Sequence, residues 1–126
     1  MPLIWIVDDE ADLRALVGMM LKKEGYEVLE VEDGKRCLEL LNEGSYPDLI
    51  LLDVMMPGLD GWEVCRRIKR DPALSPIPVC ILSAKTAPED VQTSLNRAGA
   101  NWHLNKPVDR KKLLDAVEWL LKGPSL

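Results

Sequence analysis

Five short apolar runs, each followed by a stretch with helical periodicity, constrain this chain more than any other feature of its sequence. The runs fall at Leu3–Val7, Glu27–Val31, Asp48–Leu52, Ile77–Leu82 and Asn101–Leu104. Three of them contain continuous apolar segments (LIWIV, LILL and IPVCIL) rather than an apolar/polar alternation. A strand needs that composition when both of its faces are covered, as in a parallel sheet. Between the runs, apolar residues recur at helical spacing: Leu13, Leu16, Val17, Met20 and Leu21; Leu38 and Leu41; Val64, Cys65 and Ile68; Leu113, Ala116, Val117, Leu120 and Leu121. A fourth helix, before the last run, is the poorest, with only Val91, Leu95 and Ala98 on one face. Strict alternation of this kind implies a three-layer α/β sandwich, (βα)5, around a five-stranded parallel sheet with right-handed crossovers.

Local signals agree with those boundaries. Gly25, Gly44, Gly99 and Gly123 follow helical segments, where a left-handed cap is wanted. Asp33 and Asp109 stand where N-caps belong, and Thr86 to Glu89 has the form of a capping box with Pro88 in its first turn. The 126 residues suffice for one core, and residues 1–122 are expected to form one domain. Residues 123–126 are expected to be a tail or the start of a linker.

Composition narrows the function classes. With 16 Lys and Arg against 21 Asp and Glu, the net charge is −5, without the basic stripe that a nucleic-acid surface needs. No apolar run approaches the roughly 18 residues of a membrane span, and the N-terminus lacks the basic region of a signal peptide. Cys37, Cys65 and Cys80 are odd in number and have no CxxC spacing, so they are expected to be packed, reduced thiols of a cytoplasmic protein.

In an open α/β sheet the ligand site lies beyond the carboxyl ends of the strands. Those ends deliver Asp8, Asp9 and Glu10, then Asp53, Ser83 and Lys106. Each has a plainer account alone: an acidic pair caps a helix, an Asp before Pro and Gly is a turn residue, a Ser is a satisfied hydroxyl, a Lys is a solvated charge. Together they place several carboxylates on one edge, where they repel unless a cation joins them. Hard oxygen ligands suit Mg²⁺, and Lys106 adds a second positive charge. A carboxylate in that setting can attack phosphorus and become an aspartyl phosphate.

The segments IVDDE (Ile6–Glu10), LILLDVMMPGLDG (Leu49–Gly61), ILSA (Ile81–Ala84) and AGANWHLNKP (Ala98–Pro107) resemble, in order and spacing, the four signature blocks of response-regulator receiver domains. The resemblance covers nearly the whole chain and implies a flavodoxin-like strand order 2-1-3-4-5. It implies that Asp53 is the phosphoacceptor in a Mg²⁺-dependent reaction with a sensor histidine kinase or a histidine phosphotransfer protein. By position, Asp9 binds the ion directly, Asp8 holds it largely through water, and Asp53 with the Met55 carbonyl completes the protein ligands. Ser83 and Lys106 contact the phosphoryl group, and the Lys106–Pro107 bond is a candidate for the cis form. Met55 and Lys85 flank the approach of the hydrolytic water, which sets the lifetime of the phosphorylated state.

The family usually has Tyr or Phe three residues before the lysine, a ring that turns inward when the Ser/Thr moves. Here that residue is His103, the only histidine, so the position implies the switch role and not, by itself, a pH response. The face made by helix four, strand five and helix five is the expected surface for an output partner or a second copy. Trp119, at the border of the last apolar stripe, is either a half-exposed core residue or part of that surface. The domain is expected to act on no substrate beyond its own phosphorylation and dephosphorylation. Three other readings remain: a phosphohydrolase of the haloacid-dehalogenase kind, which wants its nucleophile in a D-x-D after the first strand; a flavodoxin-like binder, to which an acidic first loop is hostile; and a receiver that is never phosphorylated.

Overall fold

A computed structural model describes residues 1–122. Five strands, β1 (Leu3–Val7), β2 (Glu27–Val31), β3 (Leu49–Leu52), β4 (Val79–Ser83) and β5 (Trp102–Asn105), pair in parallel in the order β2-β1-β3-β4-β5. Five helices connect and follow them: α1 (Ala11–Lys23), α2 (Gly34–Asn42), α3 (Gly61–Arg70), α4 (Pro88–Gln92, prolonged by a wide turn over Thr93–Arg97) and α5 (Arg110–Lys122). The expected class and strand order are both present. The expected cap at Gly123 and the segment 123–126 lie outside the described residues.

The continuous apolar runs feed two cores at once. Because side chains alternate across a strand, Trp5 and Val7, Ile50 and Leu52, and Val79 and Ile81 join one cluster with Cys37, Leu41, Val64, Cys65 and Ile68 of α2 and α3. Their neighbours Ile4 and Ile6, Leu49 and Leu51, and Cys80 and Leu82 join another with Val17, Leu21, Leu113, Val117 and Leu120 of α1 and α5. Nearly all of these side chains are buried, at about 1.5–3 kcal/mol for each large one. All three cysteines are buried and free, and burial pushes their thiols up to about 12, 11 and 12 for Cys37, Cys65 and Cys80.

Strand ends depart from the expected runs for local reasons. Asp48 precedes β3 because its carboxylate accepts from Leu3 N (2.7 Å). β4 begins at Val79, after Pro76 and Pro78, since proline has no N–H for the ladder. Asn101 precedes β5 and accepts through its side chain from Val79 N (2.9 Å). Leu16 leaves the apolar stripe of α1 and is largely exposed. Asp33 and Asp109 do bond the N–H groups of Arg36 and Lys112.

The capping box at Thr86 does not form. The N-cap of α4 is Ala87, with ψ of 150° and no side-chain bond. A box starting at Thr86 would require Ala87 to be helical, and the proline that follows disfavours that conformation.

Candidate functional site

The backbone ladder continues past the strand ends and so aims the polar residues. Asp8 N donates to Val31 O (3.2 Å), Asp53 N to Val7 O (2.9 Å) and Lys106 N to Ser83 O (2.9 Å). Each of these residues is thus held to the neighbouring strand before its side chain leaves the sheet. Below Asp53 the start of α3 comes close: a Cβ on Gly61 would stand 1.9 Å from the Asp53 carbonyl oxygen. Only glycine fits there, and Asp60 caps the helix by accepting from Glu63 N (2.9 Å).

Asp8, Asp9 and Asp53 present carboxylate oxygens that all lie within 4.8 Å of one another. Asp8 and Asp53 are buried and Asp9 is exposed. Lys106 reaches across from β5, with Nζ 2.9 Å from Asp8 Oδ2, 3.4 Å from Asp53 Oδ1 and 3.7 Å from Glu10 Oε1. The acidic pair is therefore not a plain helix cap. Asp8 Oδ1 accepts from Glu10 N (2.9 Å), while Glu10, the N-cap residue of α1, makes no side-chain capping bond. Burial, then the charge of Asp8, push the Asp53 carboxyl up to about 6, against the lowering effect of Lys106. Burial opposes the charge on Lys106, but Asp8 and Asp53 outweigh it and hold its pKa above the ordinary lysine value. Three hard carboxylates with one face open fit a divalent cation that keeps several waters.

Around this centre, Ser83 is fully buried and its Oγ accepts from Lys85 N (3.0 Å). Met55 is exposed at the rim, and Lys85 holds its ammonium 5.9 Å from the centre of the Trp62 ring. The Lys106–Pro107 bond is cis, as expected. His103 lies inward, buried, with Nδ1 2.8 Å from Ser94 Oγ, and burial lowers its pKa. Ser94, absent from the sequence reading, also accepts from Trp62 Nε1 (2.9 Å). A signal for it existed: Ser94 is three residues after Val91, inside the stripe of Val91, Leu95 and Ala98.

Trp5 is core, as expected, although its indole N–H has no partner among the described residues. Trp102 and Trp119 stand largely exposed and meet edge to face at 6.1 Å, beside a groove of about 680 Å³ between β5 and α5. Among the described residues no helix is long and apolar enough to cross a membrane.

Residues 4–118 match the family described as the response regulator receiver domain. The chain is 38% identical over 123 residues to the phosphate regulon transcriptional regulatory protein PhoB of Pseudomonas aeruginosa, covering 96% of this chain and 53% of that protein. It is 37% identical over 119 residues to the DNA-binding response regulator MtrA of Mycobacterium tuberculosis H37Rv, covering 94% and 50%. The chain thus spans about half the length of these curated relatives. Among solved structures it is similar to the receiver domain of a signal transduction histidine kinase from Syntrophus aciditrophicus (TM-score 0.90, 35% identity, 98% of this chain and 92% of that one). It is also similar to the chemotaxis protein CheY4 of Vibrio cholerae (TM-score 0.84, 30% identity, 94% and 97%).

Proposed function

This chain belongs to the response-regulator receiver domains of two-component signal transduction, and on that premise we propose that Asp53 is its phosphoacceptor, supplied by a sensor histidine kinase or a histidine phosphotransfer protein. The observation that carries the assignment is a buried carboxylate with a lysine ammonium 3.4 Å away and two further acids within 4.8 Å. In the transfer, an Asp53 oxygen forms a bond to phosphorus as the phosphorus–nitrogen bond of the donor breaks. The donor imidazole keeps the electron pair.

Asp9, Asp8, Asp53 and the Met55 carbonyl would hold Mg²⁺, Asp9 directly and Asp8 largely through water. The ion supplies charge compensation to the phosphoryl oxygens. Lys106 is already ion-paired at the centre and needs only to exchange Asp53 for a phosphoryl oxygen. Ser83 supplies a hydroxyl to another phosphoryl oxygen and gives up its bond from Lys85 N to do so. The domain catalyses its own phosphorylation and dephosphorylation and no other reaction. We assign the receiver to residues 1–122 and place its action in the cytoplasm.

The output reading rests on Trp102 and Trp119, two exposed aromatic residues in contact on the α4-β5-α5 face. That face would engage an output partner or a second copy. The net charge of −5 favours a role for this domain in receiving phosphate, not in contacting nucleic acid.

Incubation with acetyl phosphate and Mg²⁺ tests the acceptor. Intact mass is expected to rise by one phosphoryl group in the wild type and not in Asp53→Asn, with the far-ultraviolet dichroism of the two unchanged. Undiminished labelling of the variant removes the assignment. In the same preparation Asp9→Ala is expected to weaken Mg²⁺ binding more than Asp8→Ala, and equal losses in a tryptophan-fluorescence titration remove that distinction.

A further inference from the structure

The fourth helix carries a feature that the phosphate site does not explain. Its sequence stripe would bury Val91, Leu95 and Ala98, yet Val91 and Leu95 are only partly buried while Ser94 is fully so. The helix widens at that point: Ala98 N donates to Thr93 O five residues back (2.8 Å). Thr93 contributes to the widening, since its hydroxyl donates to Glu89 O (2.9 Å), a back-bond that bends helices. Single wide turns of this type occur often at functional positions.

The buried hydroxyl has two partners on other elements. Trp62 Nε1, in the first turn of α3, can only donate, so Ser94 Oγ accepts from it at 2.9 Å. His103 Nδ1, on β5, lies 2.8 Å from the same oxygen. The other ring nitrogen of His103, Nε2, has no hydrogen-bond partner among the described residues, so the well-formed bond of the ring is the one to Ser94, with the Asn105 side chain and the Lys85 backbone nearby. Meanwhile the Ser83 hydroxyl, which the family resemblance would make the trigger for the ring, is bonded to Lys85 N.

We propose that Ser94 is a positioning residue that holds His103 in its inward setting, through a Trp62–Ser94–His103 relay that ties β5 to α4 and α3. The inward setting of the ring then depends on α4 and not on Ser83. The far end of the relay reaches the rim of the phosphate site, because the Lys85 ammonium lies over the Trp62 ring. A displacement of α4 moves three things together: the ring, the indole, and the support beneath Lys85. The functional weight of the relay rests on the assignment of His103 as the switch position. Its existence does not.

The chain has a single histidine, so acylation of imidazole by diethyl pyrocarbonate reports on His103 alone. Ser94→Ala and Trp62→Phe are each expected to speed that reaction about fivefold, the effect of losing one neutral hydrogen bond. Ser83→Ala is the matched control, the same truncation at an equally buried serine, and is expected to leave the rate unchanged. Unchanged rates in the first two variants, or equal acceleration in all three, overturn the relay. If Ser94→Ala fails to fold, Trp62→Phe decides, since Trp62 and His103 share the Ser94 hydroxyl as hydrogen-bond partner. Addition of beryllofluoride and Mg²⁺ to the wild type separates the two ideas. A Trp119 indole signal that does not move defeats the switch assignment, while the acylation rates still decide the relay.

Discussion

The two edges of the candidate site are built differently. On one, Asp8 and Asp53 leave β1 and β3, whose residues are buried on both faces and belong to two cores. On the other, Ser83 and Lys106 are flanked by α4 and β5, where Trp102 is exposed, Leu104 is partly buried and a serine takes the deepest position of the helix. The carboxylates are held by closely packed strands, while α4, the element proposed to respond, buries no apolar residue over Pro88–Gln92 and only Ser94 over Thr93–Arg97. A closely packed acceptor would keep the geometry that transfer needs, and a lightly packed helix moves at low free-energy cost.

Truncation is the most direct way to break this contrast. Ile50→Ala, in fully buried β3, is expected to cost about 2–5 kcal/mol in urea unfolding. Val91→Ala, on the partly buried face of α4, is expected to cost no more than about 1 kcal/mol. Equal losses would mean that α4 is anchored as firmly as the sheet.

Asp53, the proposed acceptor, sharpens the contrast, because its burial has a cost. Burial and Asp8 raise the Asp53 carboxyl from 3.8 to about 6, so the folded protein binds this proton more readily than the unfolded chain. That stability is complete below the ordinary value of 3.8 and is lost as pH rises through about 6. In metal-free buffer at pH 7, Asp53→Asn is therefore expected to be more stable than wild type by up to about 3 kcal/mol. The gap should close as the pH falls toward 4. A gap that is absent at pH 7, or that widens on acidification, contradicts the account of the buried carboxylate.

The smallest expected effect lies at the rim, between the two regions. Met55 offers a water only a thioether, and Lys85 offers donors without an acceptor, so neither can orient an attacking water by accepting its proton. Met55→Asn with Lys85→Glu is expected to shorten the life of the phosphorylated protein several-fold, measured as decay after the donor is removed. Decay no faster than wild type would show that these positions do not set the lifetime.

Much of the molecule was legible because its signals are local. Continuous apolar runs specify strands covered on both sides, and Asp33 and Asp109 cap where a short polar side chain can reach the third N–H beyond it. Thr86 misled for an equally local reason, the proline two residues later. The acids at the ends of β1 and β3 were readable because parallel strands place their carboxyl ends on one edge whatever the helices do.

By itself, then, the sequence determined the alternation of strands and helices, the five-stranded sheet, and the identity of the residues brought to its charged edge. Only the tertiary structure decided how those residues share their charges. Lys106 pairs with Asp8 at 2.9 Å, closer than with Asp53, and burial sets the carboxyl of Asp53. It also decided that Ser94 joins Trp62 and His103 from 32 and 9 positions away. Periodicity reports which face of an element is covered, since that depends on spacing along one chain segment. Which polar atoms meet across three elements depends on how those elements dock: the stripe of Val91, Leu95 and Ala98 marks the covered side of α4, but only docking puts Trp62 and His103 on the serine that lies in it.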